Sequence, residues 1–123
     1  MKRESHRQDR IADQIQRELA GLIQFEVKDP RVGMVTITAV EVSKEYEHAR
    51  VYFTVMGDEK SRELTTQGLS KAAGFLRREL AHRLKLRVTP ELHFIYDTSI
   101  DTAAKMSELI SAAIAANRSN EQD

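Results

Sequence analysis

Basic side chains are concentrated in the middle of this chain, although its 19 Lys and Arg residues are balanced by 19 Asp and Glu residues. Between Lys60 and Pro90 the acids are only Glu63 and Glu79. The basic residues of the same stretch are Lys60, Arg62, Lys71, Arg77, Arg78, Arg83, Lys85 and Arg87. A neutral chain with locally segregated charge is typical of a protein that binds a polyanion through one surface.

Helical geometry predicts how these cations are displayed. Leu76, Leu80 and Leu84 follow Gly74 at a spacing of four, which is the spacing of a buried helical stripe. At 100° per residue, Arg78, His82 and Lys85 lie on the opposite face, with Arg77 on its flank. We interpret Gly74 as a sharp change of direction, after which a second helix begins near Phe75 and offers free N–H groups to a phosphate. The alternative is an ordinary kink and a solvated face of arginines.

Other chemistries lack the residues that they need. The chain of 123 residues has no Cys, so thiolate metal sites and thiol nucleophiles are excluded. No phosphate-binding glycine loop and no nucleophile elbow occurs. His6, His48, His82 and His93 are dispersed, and none has another His at i+3 or i+4. We therefore expect no metal, no cofactor and no enzymatic activity.

The hydrophobic pattern predicts one α+β domain over residues 7–116, between a flexible segment at 1–6 and a disordered tail at 117–123. A helix over 7–27 precedes an antiparallel hairpin of strands 34–42 and 49–56. Valines in the first strand change face, which predicts a bulge near Ala39. The helix–kink–helix segment, a third strand at 92–96 and a helix over 100–116 follow. The expected architecture is a three-stranded sheet with helices on one face. Arg10 of the first helix extends the basic surface, although acids are interleaved with its arginines.

No apolar run approaches the roughly 18 residues of a membrane span, so we expect a cytoplasmic protein with no membrane partner.

Four segments of the chain are distinctive: Asp29-Pro30-Arg31, the strand pair VTITAVEVSKEYEHARVYFTV, the run AAGFLRREL and the stretch RVTPELHFIYDTSID. Together they resemble the ribosome-binding factor A family of bacterial small-subunit assembly factors. The family is similar to type II KH domains, which have the order α-β-β-α-α-β and clamp nucleic acid with a GXXG loop. This chain has Ala72-Ala73-Gly74 instead, which fits the family's Ala-x-Gly kink and favours phosphate contacts over reading of splayed bases.

The resemblance implies a factor that binds the free, immature small (30S) ribosomal subunit and its rRNA. We expect a monomer, because the short polar strand ends do not favour pairing of sheets. It would assist late 16S rRNA processing, support growth in the cold and have no catalytic turnover. The RNA-binding residues expected are Lys71, Ala72, Gly74, Arg77, Arg78, His82, Lys85, Arg87 and Arg10. The alternative is a protein-interaction module whose basic face binds an acidic protein partner.

Overall fold

Helices and strands follow one another in the order α-β-β-α-β-α. A computed structural model describes the backbone of residues 2–121 and the side chains of residues 7–99 and 105–117. The elements are α1 (Lys2–Phe25), β1 (Val35–Val42), β2 (His48–Val55), α2 (Glu59–Leu84), β3 (Glu91–Tyr96) and α3 (Ser99–Glu121).

The sheet is mixed, with the strand order β1-β2-β3. β1 and β2 form the predicted antiparallel hairpin, and the register shifts between Ile37 and Ala39. This shift is the predicted bulge: it lets Ile37 and Val40 both face the core side of the sheet. β3 pairs with β2 in parallel, with His48 opposite Glu91 and Phe53 opposite Tyr96. Parallel pairing requires a long crossover connection, and α2 supplies it.

The core lies between one face of the sheet and the helices α1 and α2. Strand alternation turns Val51, Phe53, Leu92 and Phe94 towards these helices. The fully buried side chains that meet there include Ile15, Leu19 and Leu22 of α1, Val51 and Phe53 of β2, and Leu69, Leu76 and Leu80 of α2. The predicted α+β class, with a three-stranded sheet and helices on one face, is confirmed.

The predicted helix–kink–helix segment differs from the observed structure. α2 is a single helix from Glu59 to Leu84 and passes through Gly74 without a break. Gly57 is the glycine with a positive φ, and Gly74 has helical backbone. The predicted second helix beginning near Phe75, with free N–H groups, is therefore wrong. A glycine costs about 1 kcal/mol of helix propensity, which is small beside the burial of Leu69, Leu76 and Leu80 on either side of it.

The terminal helices are longer than the sequence pattern predicted. α1 begins at Lys2 and α3 continues to Glu121. Neither extension contains Gly or Pro, so nothing in the sequence stops the helical hydrogen bonds at Arg7 or Ala116. The side chains of residues 1–6 and 118–123 lie outside the described residues, and the domain limits stay a prediction.

The described part of α3 does not join the core. Its side chains from Lys105 to Asn117 are all exposed, including Met106, Leu109, Ile110 and Ile114. Over the described residues, no helix is both long enough and apolar enough to cross a bilayer.

Candidate nucleic-acid interface

One exposed face of α2 carries most of the predicted RNA-binding residues. Lys71, Gly74, Arg78, His82 and Lys85 follow one another at intervals of three or four and are all exposed. The first four lie opposite the buried Leu69, Leu76 and Leu80, and Lys85 is the C-cap residue directly after α2, with a left-handed backbone. We call these five residues the basic stripe. At 1.5 Å per residue it is roughly 21 Å long.

The cations of the basic stripe point to solvent-accessible surface and are exposed. Among the described residues, no hydrogen bond or ion pair engages the side chains of Lys71, Arg78 or Lys85. The neighbouring Arg83 differs, because its Nη1 lies 3.2 Å from Glu18 Oε2 of α1. Three cations at intervals of seven residues are therefore available to an anion outside the protein.

Arg77 has a structural contact. Its Nε and Nη2 donate to the backbone carbonyl of Thr89 at 3.1 and 2.9 Å. The carbonyl belongs to the loop that returns from α2 to β3. The Arg77 side chain thus lies along an open groove of about 430 Å³ between the two elements. The lining residues are Ser70, Ala73, Gly74, Arg77, Glu91, Leu92, His93 and Phe94.

Gly74 interrupts the basic stripe with bare backbone. A Cβ built on it would meet nothing within 4 Å, so no packing contact requires glycine there. The missing side chain leaves a gap between Lys71 and Arg78 where another backbone can approach the helix. Gly74 thus belongs to the candidate surface, although it does not turn the chain.

The remaining predicted residues lie around this surface. Ala72 is half-buried and packs against the core. Arg87 is exposed in the loop after α2 and shares a small groove with Arg7 of α1, which was not among the predicted residues. Arg10 is exposed on α1, and no hydrogen bond or ion pair between described residues links it to the basic stripe.

The turn before β1 is held by an internal ion pair. Arg31 Nη2 lies 2.7 Å from Asp29 Oδ2, and the backbone N–H of Arg31 donates to Asp29 Oδ1 at 2.9 Å. The side-chain hydrogen bond from Arg31, then its backbone N–H, lower the pKa of Asp29 to about 2. Lys71 adds a smaller Coulombic contribution in the same direction, so the turn lies near the end of the basic stripe.

This turn packs against α2 at Gly68. A Cβ there would lie 2.7 Å from Val32 Cγ2, so the glycine permits the close approach. Thr65 Oγ1 of α2 also donates to the carbonyl of Arg31 at 3.3 Å. Sequence reasoning assigned no role to Gly68, and its only signal was a second glycine in an otherwise helical stretch.

The fold brings together two of the four histidines that are dispersed in the sequence. His48 of β2 and His93 of β3 are neighbours on the sheet face that the helices leave open, beside Glu91. Reasoning from i+3 and i+4 spacing missed them because the parallel pairing of β2 with β3 joins positions far apart in sequence.

The order α-β-β-α-β-α, the mixed sheet and the exposed basic helix define a KH type II-like α+β domain in which one continuous helix, α2, takes the place of two helices joined by a GXXG loop. Comparison with known proteins identifies the family to which this domain belongs. The family model described as ribosome-binding factor A matches residues 7–110. The chain belongs to the ribosome-binding factor A family.

Individual relatives agree with this assignment. A ribosome-binding factor A from Nitrosospira multiformis is 58% identical over 113 residues, covering 92% of this chain and 90% of the relative. A solution structure of a Thermotoga maritima protein, described as a putative ribosome-binding factor A, aligns with a TM-score of 0.69 at 34% identity, covering 77% of this chain and 91% of the other.

A third structure is a homology model of the Thermus thermophilus factor, fitted into the cryo-electron-microscopy map of a complex between the 30S subunit and ribosome-binding factor A. It aligns with a TM-score of 0.59 at 32% identity, covering 71% of this chain and 91% of that one.

Proposed function

We propose that this protein binds the small ribosomal subunit through rRNA phosphates and acts as an assembly factor in the late maturation of 16S rRNA. The basic stripe of α2 is the observation that carries the proposal. Lys71 and Arg78 are exposed on one helix face, Lys85 follows as the C-cap of α2, and none of the three side chains forms a hydrogen bond or an ion pair with a described residue. A chain with no net charge has no bulk attraction to RNA, so such a local surface has to supply the binding.

The comparisons support the choice of partner. The Thermus thermophilus member of the family is described in a complex with the 30S subunit, and its aligned part covers 91% of that chain. Transfer of this partner to the present chain is consistent with the shared fold and with a basic surface suited to folded rRNA.

The expected mode of contact follows from the geometry of α2. Lysine and arginine side chains on one helix face contact phosphates and fix the position of the protein on the RNA, without reading the bases. The bare backbone at Gly74 lets a strand approach between Lys71 and Arg78. We therefore propose recognition of rRNA shape and phosphate spacing, with Arg77 mainly anchoring the loop before β3.

The test is co-sedimentation with isolated 30S subunits, 50S subunits and 70S ribosomes at several salt concentrations. We expect selective binding to 30S subunits that weakens as salt rises. A variant with Lys71, Arg78 and Lys85 all changed to Gln should bind more weakly, and its dependence of log K on log salt should flatten by about three units if each cation meets one phosphate.

The matched control changes Lys44, Arg50 and Lys105 to Gln. These residues are exposed outside α2 and outside the turn at Asp29, and the change of net charge is identical. If both triple variants lose the same affinity, bulk charge is responsible and the basic stripe is removed from the proposal. Binding that survives nuclease treatment of the partner would instead support an interaction module for an acidic protein.

The proposed role in 16S rRNA maturation is tested by a separate experiment in cells. We propose that the protein acts as a monomer in the cytoplasm, without catalytic turnover, and that its absence matters most in the cold. Cells depleted of it should accumulate precursor 16S rRNA at low temperature, and the wild-type gene should restore processing better than the stripe variant. Normal 16S ends in depleted cells would contradict the maturation role while leaving 30S binding intact.

A further inference from the structure

Three potential metal ligands meet on the open face of the sheet, and two of them, Glu91 and His93, also line the groove that contains Gly74 and Arg77 of α2. β2 begins at His48, which lies opposite Glu91, the first residue of β3. His93 follows Glu91 by two positions, so strand alternation places both side chains on the same face. All three side chains are exposed.

The distances between their donor atoms are close to those of a coordination sphere. His48 Nδ1 lies 3.0 Å from His93 Nε2 and 3.8 Å from Glu91 Oε2. The three donor atoms all lie within 4.8 Å of one another. Ligand atoms of a tetrahedral zinc ion are roughly 3.3 Å apart, given bonds of about 2.0–2.1 Å. All three side chains are exposed, so their rotation can widen the 3.0 Å separation of the two imidazole nitrogens towards this value.

We propose that His48, Glu91 and His93 bind one divalent transition-metal ion of the zinc type. Two imidazoles and one carboxylate suit Zn²⁺, Co²⁺ or Ni²⁺, whereas Mg²⁺ and Ca²⁺ prefer oxygen ligands alone. His48 coordinates through Nδ1 and His93 through Nε2, the two atoms that face each other. Three protein ligands leave at least one position to water.

The charged side chains around the cluster influence its expected affinity for a metal ion. Arg50 lies next to the cluster, opposite His93 on β3 and opposite Glu41 on β1. Its charge repels a bound cation, and Glu41 partly offsets that repulsion. Removal of the positive charge in Arg50→Gln should therefore tighten metal binding, although Arg50 is not a ligand.

The experiment titrates CoCl₂ into the untagged full-length chain, followed by calorimetry and visible absorption, with ZnCl₂ as competitor. We expect one Co²⁺ per chain, displaced by Zn²⁺. His48→Gln, His93→Gln and Glu91→Gln should each weaken binding by at least about tenfold. The matched control His82→Gln removes an exposed histidine of α2 and should leave the affinity unchanged.

A second measurement does not depend on the variants. In ¹⁵N-labelled wild-type protein, Zn²⁺ should shift the Nδ1 resonance of His48 and the Nε2 resonance of His93, leaving those of His82 in place. Absence of Co²⁺ and Zn²⁺ binding at millimolar metal would overturn the proposal, as would binding that His48→Gln and His93→Gln leave unchanged. No ribosome enters these experiments, so the proposed 30S binding stands or falls separately.

Discussion

Neighbouring arginines have different roles in this protein. Arg77 donates two hydrogen bonds to the carbonyl of Thr89, whereas the side chain of Arg78 has no such partner among the described residues. One position along a helix rotates a side chain by 100°, which is enough to move it from the groove beside β3 to the solvent face. A single charge cluster in the sequence thus divides into structural and surface residues.

We expect Arg77→Ala to lower the free energy of unfolding by about 1 kcal/mol, because it removes charge-assisted hydrogen bonds to the Thr89 carbonyl. Arg78→Ala should change stability by less than about 0.5 kcal/mol, since its side chain only meets solvent. Urea denaturation of both variants measures the difference. Equal effects on stability would show that the contact with Thr89 contributes nothing.

The Asp29–Arg31 pair should make stability depend on pH. Arg31 lowers the folded-state pKa of Asp29 from 3.8 to about 2. A carboxyl group with a lowered folded-state pKa stabilises the fold above its unfolded-state pKa and loses that contribution as pH falls towards the folded-state value. Wild type should therefore exceed Asp29→Asn in melting temperature at pH 5, and the difference should shrink between pH 4 and pH 2.

Asp58 and Asp97 provide the comparison for this titration. Hydrogen bonds from Ser61 lower the pKa of Asp58, and those from Thr38 and then Ser99 lower that of Asp97. Both carboxylates remain in Asp29→Asn, so this variant should still lose stability in acid, but less steeply than wild type. Parallel melting curves against pH for the two proteins would contradict the role given to Arg31.

At the scale of elements, the two glycines of α2 have opposite surroundings. Gly68 is buried against Val32 in the turn before β1, whereas Gly74 is exposed with open space around it. The first glycine lets α2 pack closely against the turn. The second leaves the backbone of the basic stripe uncovered. Their places in the helical pattern look alike, and only the packing distinguishes them.

Alanine substitutions at the two glycines should change the free energy of unfolding in opposite directions. Gly74→Ala should stabilise the protein by about 0.5–1 kcal/mol, because alanine is the better helix former and meets no atom there. Gly68→Ala should destabilise it by about 1–2 kcal/mol, because the new methyl group collides with Val32. Chemical denaturation measures both. Destabilisation by Gly74→Ala would indicate that the backbone at Gly74 is not helical.

At the scale of the whole molecule, we expect the third helix to contribute little to the stability of the core. The buried cluster draws its side chains from α1, α2 and the sheet, while the described α3 side chains remain exposed. Exposed apolar residues contribute little to folding, because they stay in contact with water.

A chain that ends at Ala104 should accordingly keep its fold. We expect its free energy of unfolding to differ from that of the full chain by less than about 1 kcal/mol. Urea denaturation with amide spectra of residues 7–97 tests this, and Leu80→Ala is the positive control, with an expected loss of about 2–5 kcal/mol. Unfolding of the shortened chain would mean that α3 packs against the core in solution.

Features that depend on near neighbours were predictable. The hydrophobic pattern predicted the strand at 49–56, and the phase change of the valines predicted the bulge near Ala39. The cap of α2 is equally local, since Asp58 Oδ1 accepts the N–H of Ser61 at 2.9 Å. Gly74 shows the limit, since local propensity predicted a break and long-range packing on both sides keeps the helix continuous.

The sequence by itself determined the order of the elements apart from the continuity of α2, the inward faces and the concentration of positive charge in α2, because each depends on residues a few positions apart. The tertiary structure decided which arginines stay available, which glycine is closely packed and that His48 meets His93. These outcomes depend on partners distant in the chain, such as the loop carbonyl of Thr89, the turn at Val32 and the parallel register of β3 on β2. The periodicity of neighbouring residues gives no information about such distant partners.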